Sequence, residues 1–214
     1  MTAHSAALRD HLRLYLVLDP DAVGGDLIVT TRAALNAGVT MLQFRAKHRT
    51  DRAILELATP VRRLCQAASV PFIMNDRLDL ALACNADGIH LGVDDLPLPN
   101  ARSLGGINLI IGYSPESDAQ ISAAAGAGAS YLGIGPVFAT ATKQDAGAPL
   151  GLVELSRRLR IGGLPGVGIG GIDATNAASV MAAGADGVAV VSAILGAPDP
   201  ALASWELLAA ITRS

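Results

Sequence analysis

Eight short apolar runs, helical stretches between them and a repeat length of about 27 residues predict an α/β protein folded as one compact (β/α)8 TIM barrel over residues 1–214. The runs occupy residues 14–19, 39–45, 71–76, 88–92, 109–114, 131–137, 166–172 and 187–194. Each is almost continuously apolar, as a strand buried on both faces must be; a sheet wetted on one side would alternate.

The intervening stretches carry the helical period. Behind an N-cap at Thr50 or Asp51, Ile54, Leu57, Val61 and Leu64 recur at spacings of three, four and three, and Leu152, Leu155 and Leu159 repeat the pattern. Pro60 falls inside the first of these helices and predicts a break over residues 58–60, because proline lacks an amide hydrogen and its ring crowds the preceding turn. Ala-Gly pairs at 37–38, 127–128 and 183–184 each precede a strand, where glycine provides the left-handed cap that ends a helix. Ala86-Asp87-Gly88 and Ala185-Asp186-Gly187 open two strands as a weak internal echo, a property of the scaffold. No linker divides the chain, and residues 196–200 read as a loop before the last helix.

A formal net charge of −3 gives no basic field for nucleic acid, so positive charge acts locally. Cys65 and Cys84 form no Cys-x-x-Cys pair and sit in helical segments, which reads as two buried reduced thiols. The mean hydropathy of +0.42 is high, yet no apolar run approaches the roughly 18 residues of a membrane span. Residues 1–12 contain His4, Arg9, Asp10 and His11 and lack the apolar segment of a secretory leader. A cytoplasmic protein without membrane or nucleic-acid partners is expected; a homo-oligomer stays open.

In a parallel barrel the reactive groups project from the C-terminal strand ends. Two such ends stand out: Pro71-Phe-Ile-Met-Asn-Asp76, and Ala86-Asp-Gly-Ile-His-Leu-Gly-Val-Asp-Asp95. Carboxylates from adjacent strand ends can share one Mg²⁺, which needs only one or two of them when substrate phosphates and water complete its shell. Strand two ends in Gln43-Phe-Arg45-Ala-Lys47, and period-two alternation puts Gln43, Arg45 and Lys47 on one side if the extended chain persists through Lys47. Two cations and an amide beside paired acids favour a magnesium diphosphate site. A second anion site is expected where Gly168-Ile-Gly-Gly171 and Val190-Val-Ser192 end strands seven and eight, since glycine lets backbone amides approach a phosphate. The loop after strand six, with Thr140, Thr142 and Lys143, has the composition of a flap that closes over phosphate. His90 reads as a hydrogen-bonded histidine of the core or lumen. Ser114, taken alone, reads as the N-cap of a helix starting at Pro115.

In order along the chain, Gln43 to Lys47, Asn75-Asp-Arg-Leu-Asp79, Ala86 to Gly92 with Asp95, Gly135-Pro136 with Thr140 to Lys143, Gly168 to Gly171, and Ala185 to Gly187 with Ser192 resemble thiamine-phosphate synthase. The resemblance runs from about residue 14 to 194. It implies a (β/α)8 barrel that joins hydroxymethylpyrimidine diphosphate to hydroxyethylthiazole phosphate, releasing pyrophosphate with Mg²⁺ as cofactor. It further implies that Gln43, Phe44, Arg45, Ala46, Lys47, Asn75, Ser114 and Lys143 hold the pyrimidine diphosphate. Asp76 and Asp95 would ligate the metal, and Thr140, Ala141, Thr142, Gly171, Val191 and Ser192 would hold the thiazole phosphate. Arg45, Lys47 and Lys143 would stabilise the departing pyrophosphate, and Ser114 is counted with them as catalytic.

Three positions depart from the family pattern: Ala46 where Glu is common, Val93 where a polar group is common, and Ala139 where Pro is common. Two other readings compete. A sister thiazole tautomerase shares the barrel but carries a catalytic histidine in place of Pro136 and lacks the Asn75-Asp76 pair. A non-catalytic barrel that binds thiamine intermediates would have no need of every diphosphate and metal position.

Overall fold

The computed structural model describes residues 3–140 and 147–212. Its order is α1 (Ala3–Leu12), β1 (Leu14–Leu18), α2 (Leu27–Asn36), β2 (Met41–Phe44), α3 (Asp51–Ala67), β3 (Phe72–Asn75), α4 (Leu78–Ala83), β4 (Gly88–Leu91) and α5 (Leu98–Gly105). There follow β5 (Ile110–Tyr113), α6 (Asp118–Ala124), β6 (Tyr131–Ile134), α7 (Gly151–Gly162), β7 (Gly166–Ile169), α8 (Ala177–Ala182), β8 (Gly187–Val190), α9 (Ser192–Leu195) and α10 (Pro200–Thr212). All eight strands are parallel and pair in sequence order, and β1 closes on β8 through Leu14, Tyr15 and Leu16 opposite Val188, Ala189 and Val190. The predicted (β/α)8 barrel is the observed one.

Every expected strand is present, but each stops after four or five residues. The polar tails beyond still bond to their neighbours at the rim, Arg45 N to Leu18 O, Asp76 N to His90 O and Ser114 N to Leu91 O, each at 2.9 Å. The tail after β8 changes type altogether: Ser192 begins the short helix α9.

Period-two alternation divides the apolar side chains into two cores. One fills the lumen, with Tyr15, Val17, Met41, Ile73, Tyr131, Val167 and Ala189, joined by Leu8 and Leu12 of α1 at its N-terminal end. The other lies between strands and helices and includes Leu16, Phe44, Phe72, Ile89 and Leu132.

The internal echo has a structural cause. The residue that enters each even strand accepts a backbone N–H from the odd strand before it. Thr40 Oγ1 takes Leu14 N at 2.9 Å, Asp87 Oδ2 takes Phe72 N at 2.8 Å, Ser130 Oγ takes Ile111 N at 3.1 Å and Asp186 Oδ2 takes Gly166 N at 2.8 Å. Asp186 also pairs with Arg9, tying α1 to the barrel.

The expected break in α3 does not occur: the helix runs unbroken through Pro60. Ile54, Ala58, Val61 and Cys65 are buried on its inner face, while Pro60 and Glu56 are exposed. The carbonyl freed by the missing amide therefore meets water, and burial of the inner stripe outweighs the lost bond. Thr50 is the N-cap, accepting from Ala53 N. Gly38, Gly128 and Gly184 have φ of 106°, 104° and 98°, the backbone state expected where these helices end. Cys65 and Cys84 are free and buried.

Candidate active site

Because all eight strands run the same way, their C-terminal ends form one rim, which carries every described candidate site residue. Gln43 is the outermost lumen-facing residue of β2. It is 5% exposed, and its Nε2 donates to the Tyr15 hydroxyl at 2.8 Å. Arg45 keeps the pairing direction, with its N–H on Leu18 O, and its guanidinium meets Asp19 Oδ2 at 2.8 Å. The strand does not persist to Lys47: the chain turns there, with His48 at φ 64°. Lys47 swings toward β3, where its Nζ lies 3.5 Å from Asp76 Oδ2. Arg45 and Lys47 thus fan to opposite neighbours, each held by an acid. Phe44 and Ala46 take the alternate face. The Phe44 ring is fully buried, 6.2 Å from the Phe72 ring, so its main chain is what remains for a ligand. Ala46 packs against the same outer core.

Asn75 ends β3, and Asp76 follows at φ 60°, a left-handed state that Asp tolerates better than most residues. Its N–H is fixed by His90 O at 2.9 Å. Asp95, in the loop after β4, accepts from Gly92 N at 2.7 Å. The Asp95 carboxylate lies beside that of Asp76. Burial, and then the Asp95 carboxylate beside it, raise the Asp76 pKa, with Lys47 opposing. A pair of half-buried acids countered by one lysine is an arrangement that a divalent cation relieves. Among the described residues no third acid, thiol or imidazole joins the pair in a metal-holding cluster, so the donor set suits an ion that keeps water and takes phosphate oxygens, as Mg²⁺ does.

Ser114 follows β5 and caps no helix: α6 starts three residues beyond Pro115, capped by Ser117 in a reciprocal arrangement with Gln120. The Ser114 hydroxyl instead lies 2.8 Å from His90 Nε2, and His90 Nδ1 lies 3.0 Å from the Tyr131 hydroxyl. The expected hydrogen-bonded lumen histidine is therefore in place. Burial lowers the His90 pKa to about 4, which keeps the ring neutral at ordinary pH.

After β6, Val137 N and Phe138 N reach Ile169 O and Gly170 O at 2.8 and 3.0 Å, laying this loop along β7. Gly171, at φ 64°, allows the contact, since a Cβ there would sit 2.4 Å from Ala139 O. Thr140, Gly171, Val191 and Ser192 occupy the rim after β6, β7 and β8. Ala141, Thr142 and Lys143 lie outside the described residues. Sequence reasoning missed Asp19, Tyr15 and Tyr131. Asp19 stood at the end of its strand run, a position that could have marked it; the tyrosines were two hydroxyls hidden in aliphatic strands.

The fold and site together define a (β/α)8 barrel enzyme whose rim joins paired carboxylates to cationic side chains, a class suited to phosphorylated substrates. The family model for thiamine monophosphate synthase matches residues 14–194, and the chain belongs to this family. It is 46% identical over 202 residues to the thiamine-phosphate synthase of Moorella thermoacetica, covering 94% of this chain and 96% of that one. Identity is 48% over 198 residues to the thiamine-phosphate synthase of Herpetosiphon aurantiacus, at 92% and 95% coverage. The solved thiamine phosphate pyrophosphorylase of Pyrococcus furiosus superposes with a TM-score of 0.88 at 37% identity, over 96% of this chain and 98% of that one.

Proposed function

We propose that the chain is a thiamine-phosphate synthase, a transferase that joins hydroxymethylpyrimidine diphosphate to hydroxyethylthiazole phosphate and releases pyrophosphate. Near-full-length identity of 46% to a synthase carries this reading. The rim chemistry supports it. Asp76 and Asp95 would hold Mg²⁺, which supplies charge neutralisation on the diphosphate. Arg45, steadied by Asp19, and Lys47 bind the diphosphate oxygens and stabilise negative charge as the carbon–oxygen bond breaks, with Lys143 completing the set. The cation left on the pyrimidine methylene is then captured by the thiazole nitrogen. No protein nucleophile is needed, so Ser114 serves as a hydrogen-bonding group. The thiazole phosphate is assigned to the rim after β6, β7 and β8, through Thr140 to Thr142, Gly171, Val191 and Ser192. The substrates are small molecules, and two free buried thiols support a cytoplasmic setting.

Purified protein mixed with both phosphorylated halves and Mg²⁺ is expected to yield thiamine phosphate by mass spectrometry, and to lose that product when a chelator is added. A folded protein that makes none with both halves present would overturn the assignment. Product formation unaffected by chelation would remove the metal from it.

A further inference from the structure

Five side chains from four strands and one strand-end loop form a continuous hydrogen-bonded line across the lumen. Gln43 Nε2 meets the Tyr15 hydroxyl at 2.8 Å, and the Tyr15 and Tyr131 hydroxyls are 2.7 Å apart. The Tyr131 hydroxyl meets His90 Nδ1 at 3.0 Å, and His90 Nε2 meets Ser114 Oγ at 2.8 Å. The two ends are residues that the synthase reading assigns to the pyrimidine diphosphate; the three central groups have no part in that reading.

Counting hydrogens gives the line a direction. Tyr15 and Tyr131 are 1% and 0% exposed, so neither hydroxyl hydrogen can turn to bulk water. Tyr15 already accepts from the Gln43 amide, so its single hydrogen goes to Tyr131. Tyr131 then sends its own hydrogen to His90 Nδ1, which must be unprotonated. The ring proton resides on Nε2 and is donated to Ser114 Oγ. The Ser114 hydrogen is thereby left for a group outside the line, and the Gln43 carbonyl Oε1 is uncommitted to it. Reversing one link reverses them all: if Gln43 turned its carbonyl to Tyr15, Ser114 would donate inward and become an acceptor toward the mouth.

The scaffold keeps space for these contacts. A Cβ on Gly112 would lie 2.3 Å from the Tyr131 hydroxyl and 2.4 Å from His90 Nδ1, inside that hydrogen bond. One on Gly133 would lie 3.2 Å from Ser114 Oγ and 3.2 Å from the His90 ring. Both are lumen-facing positions of their strands, where a side chain would otherwise project.

We propose that Tyr15, Tyr131 and His90 are positioning residues, a polarised relay that fixes Gln43 as an acceptor and Ser114 as a donor toward the bound ligand. That pattern selects a ligand offering an N–H at the Gln43 end, as an aminopyrimidine does and a hydroxypyrimidine anion does not, and an acceptor oxygen or ring nitrogen at the Ser114 end. The choice of ligand rests on the synthase reading; the direction of the relay does not.

Nitrogen-15 spectra of the imidazole groups in the ligand-free protein at pH 7, with His90→Asn for assignment, are expected to show a neutral His90 ring protonated on Nε2. Tyr131→Phe should abolish that tautomer preference and raise the KM for the pyrimidine diphosphate about tenfold, while the KM for the thiazole phosphate stays within about twofold. Tyr15→Phe should raise the same KM but retain the tautomer, because Tyr131 still donates to His90. A ring protonated on Nδ1, or on both nitrogens, overturns the relay whether or not the protein is active. An unchanged pyrimidine diphosphate KM in both tyrosine variants overturns its positioning role. Failure of the wild-type protein to make thiamine phosphate strikes the synthase reading alone, since the spectra report the relay independently.

Discussion

Asp76 concentrates several demands on one residue: a left-handed backbone, a tie to His90 O, a lysine 3.5 Å away and a second carboxylate beside it. The two acids are separated by the whole of α4 and β4 and meet only because β3 and β4 are neighbours. Asp76→Ala and Asp95→Ala are each expected to lower turnover by about 100-fold or more and to raise the Mg²⁺ concentration giving half-maximal rate. Unchanged rates and Mg²⁺ dependence in both would remove these residues from the metal site. Ser192 allows a test of the other anion pocket. Ser192→Asp would put a carboxylate beside the bound phosphate, with a repulsion of about 4 kcal/mol per charge pair at ~4 Å and an effective dielectric near 20. Thiazole phosphate affinity should fall by about three orders of magnitude in titration calorimetry, with pyrimidine diphosphate affinity nearly intact; equal losses would argue against separate pockets. At this scale residue types were legible in the sequence, but their partners were not. Arg45 was visible as a cation, whereas its acid, Asp19, follows another strand, β1.

Elements were read well where one principle governs and poorly where two compete. The apolar runs and the glycines after α2, α6 and α8 gave the strands and helix ends, because burial and positive φ each dictate a residue type. Pro60 misled because the intrinsic cost of proline competes with burial of Ile54, Ala58, Val61 and Cys65, and only the packed structure shows which wins. Pro60→Ala is therefore expected to restore an amide bond on an already helical backbone and stabilise the protein by about 1–2 kcal/mol in urea titration, after allowing for a freer unfolded chain. A destabilised variant would show that the ring has a packing role. Asp186 is the converse case, a residue read as mere punctuation that ties β7 and α1 to the start of β8. Asp186→Ala leaves Gly166 N without its acceptor and should cost about 1–3 kcal/mol, whereas Asp186→Asn, which keeps an oxygen there, should cost less. Equal losses would mean that the Arg9 pair dominates.

The barrel as a whole holds its titratable core groups in their neutral forms. Burial, and then the Asp87 carboxylate, push the Cys65 thiol from 9.0 up to about 12, and burial raises the Tyr15 and Tyr131 hydroxyls above their ordinary values. A thiol whose pKa is raised on folding contributes stability that is fully present below pH 9 and is lost as pH rises toward 12, because the unfolded chain releases the proton first. Stability should therefore fall from about pH 9, with Cys84 adding to the loss and the tyrosines joining near pH 10, and Cys65→Ala should lessen that decline while being less stable at pH 7 through lost packing; an unaltered slope would exclude the Cys65 thiol as a source. The sequence by itself determined the number and order of the strands, their alternation with helices and the chemical character of the strand ends, because hydrophobic period and residue type are local properties. Tertiary structure alone decided which polar groups meet: closure of the barrel and the fan of the rim bring Lys47 to Asp76, Asp19 to Arg45, Tyr131 to His90 and Tyr15 to Tyr131. These pairings join residues distant in the chain, and hydrogen bonds and ion pairs act over a few ångströms, so their partners are set by the register and curvature of the closed sheet.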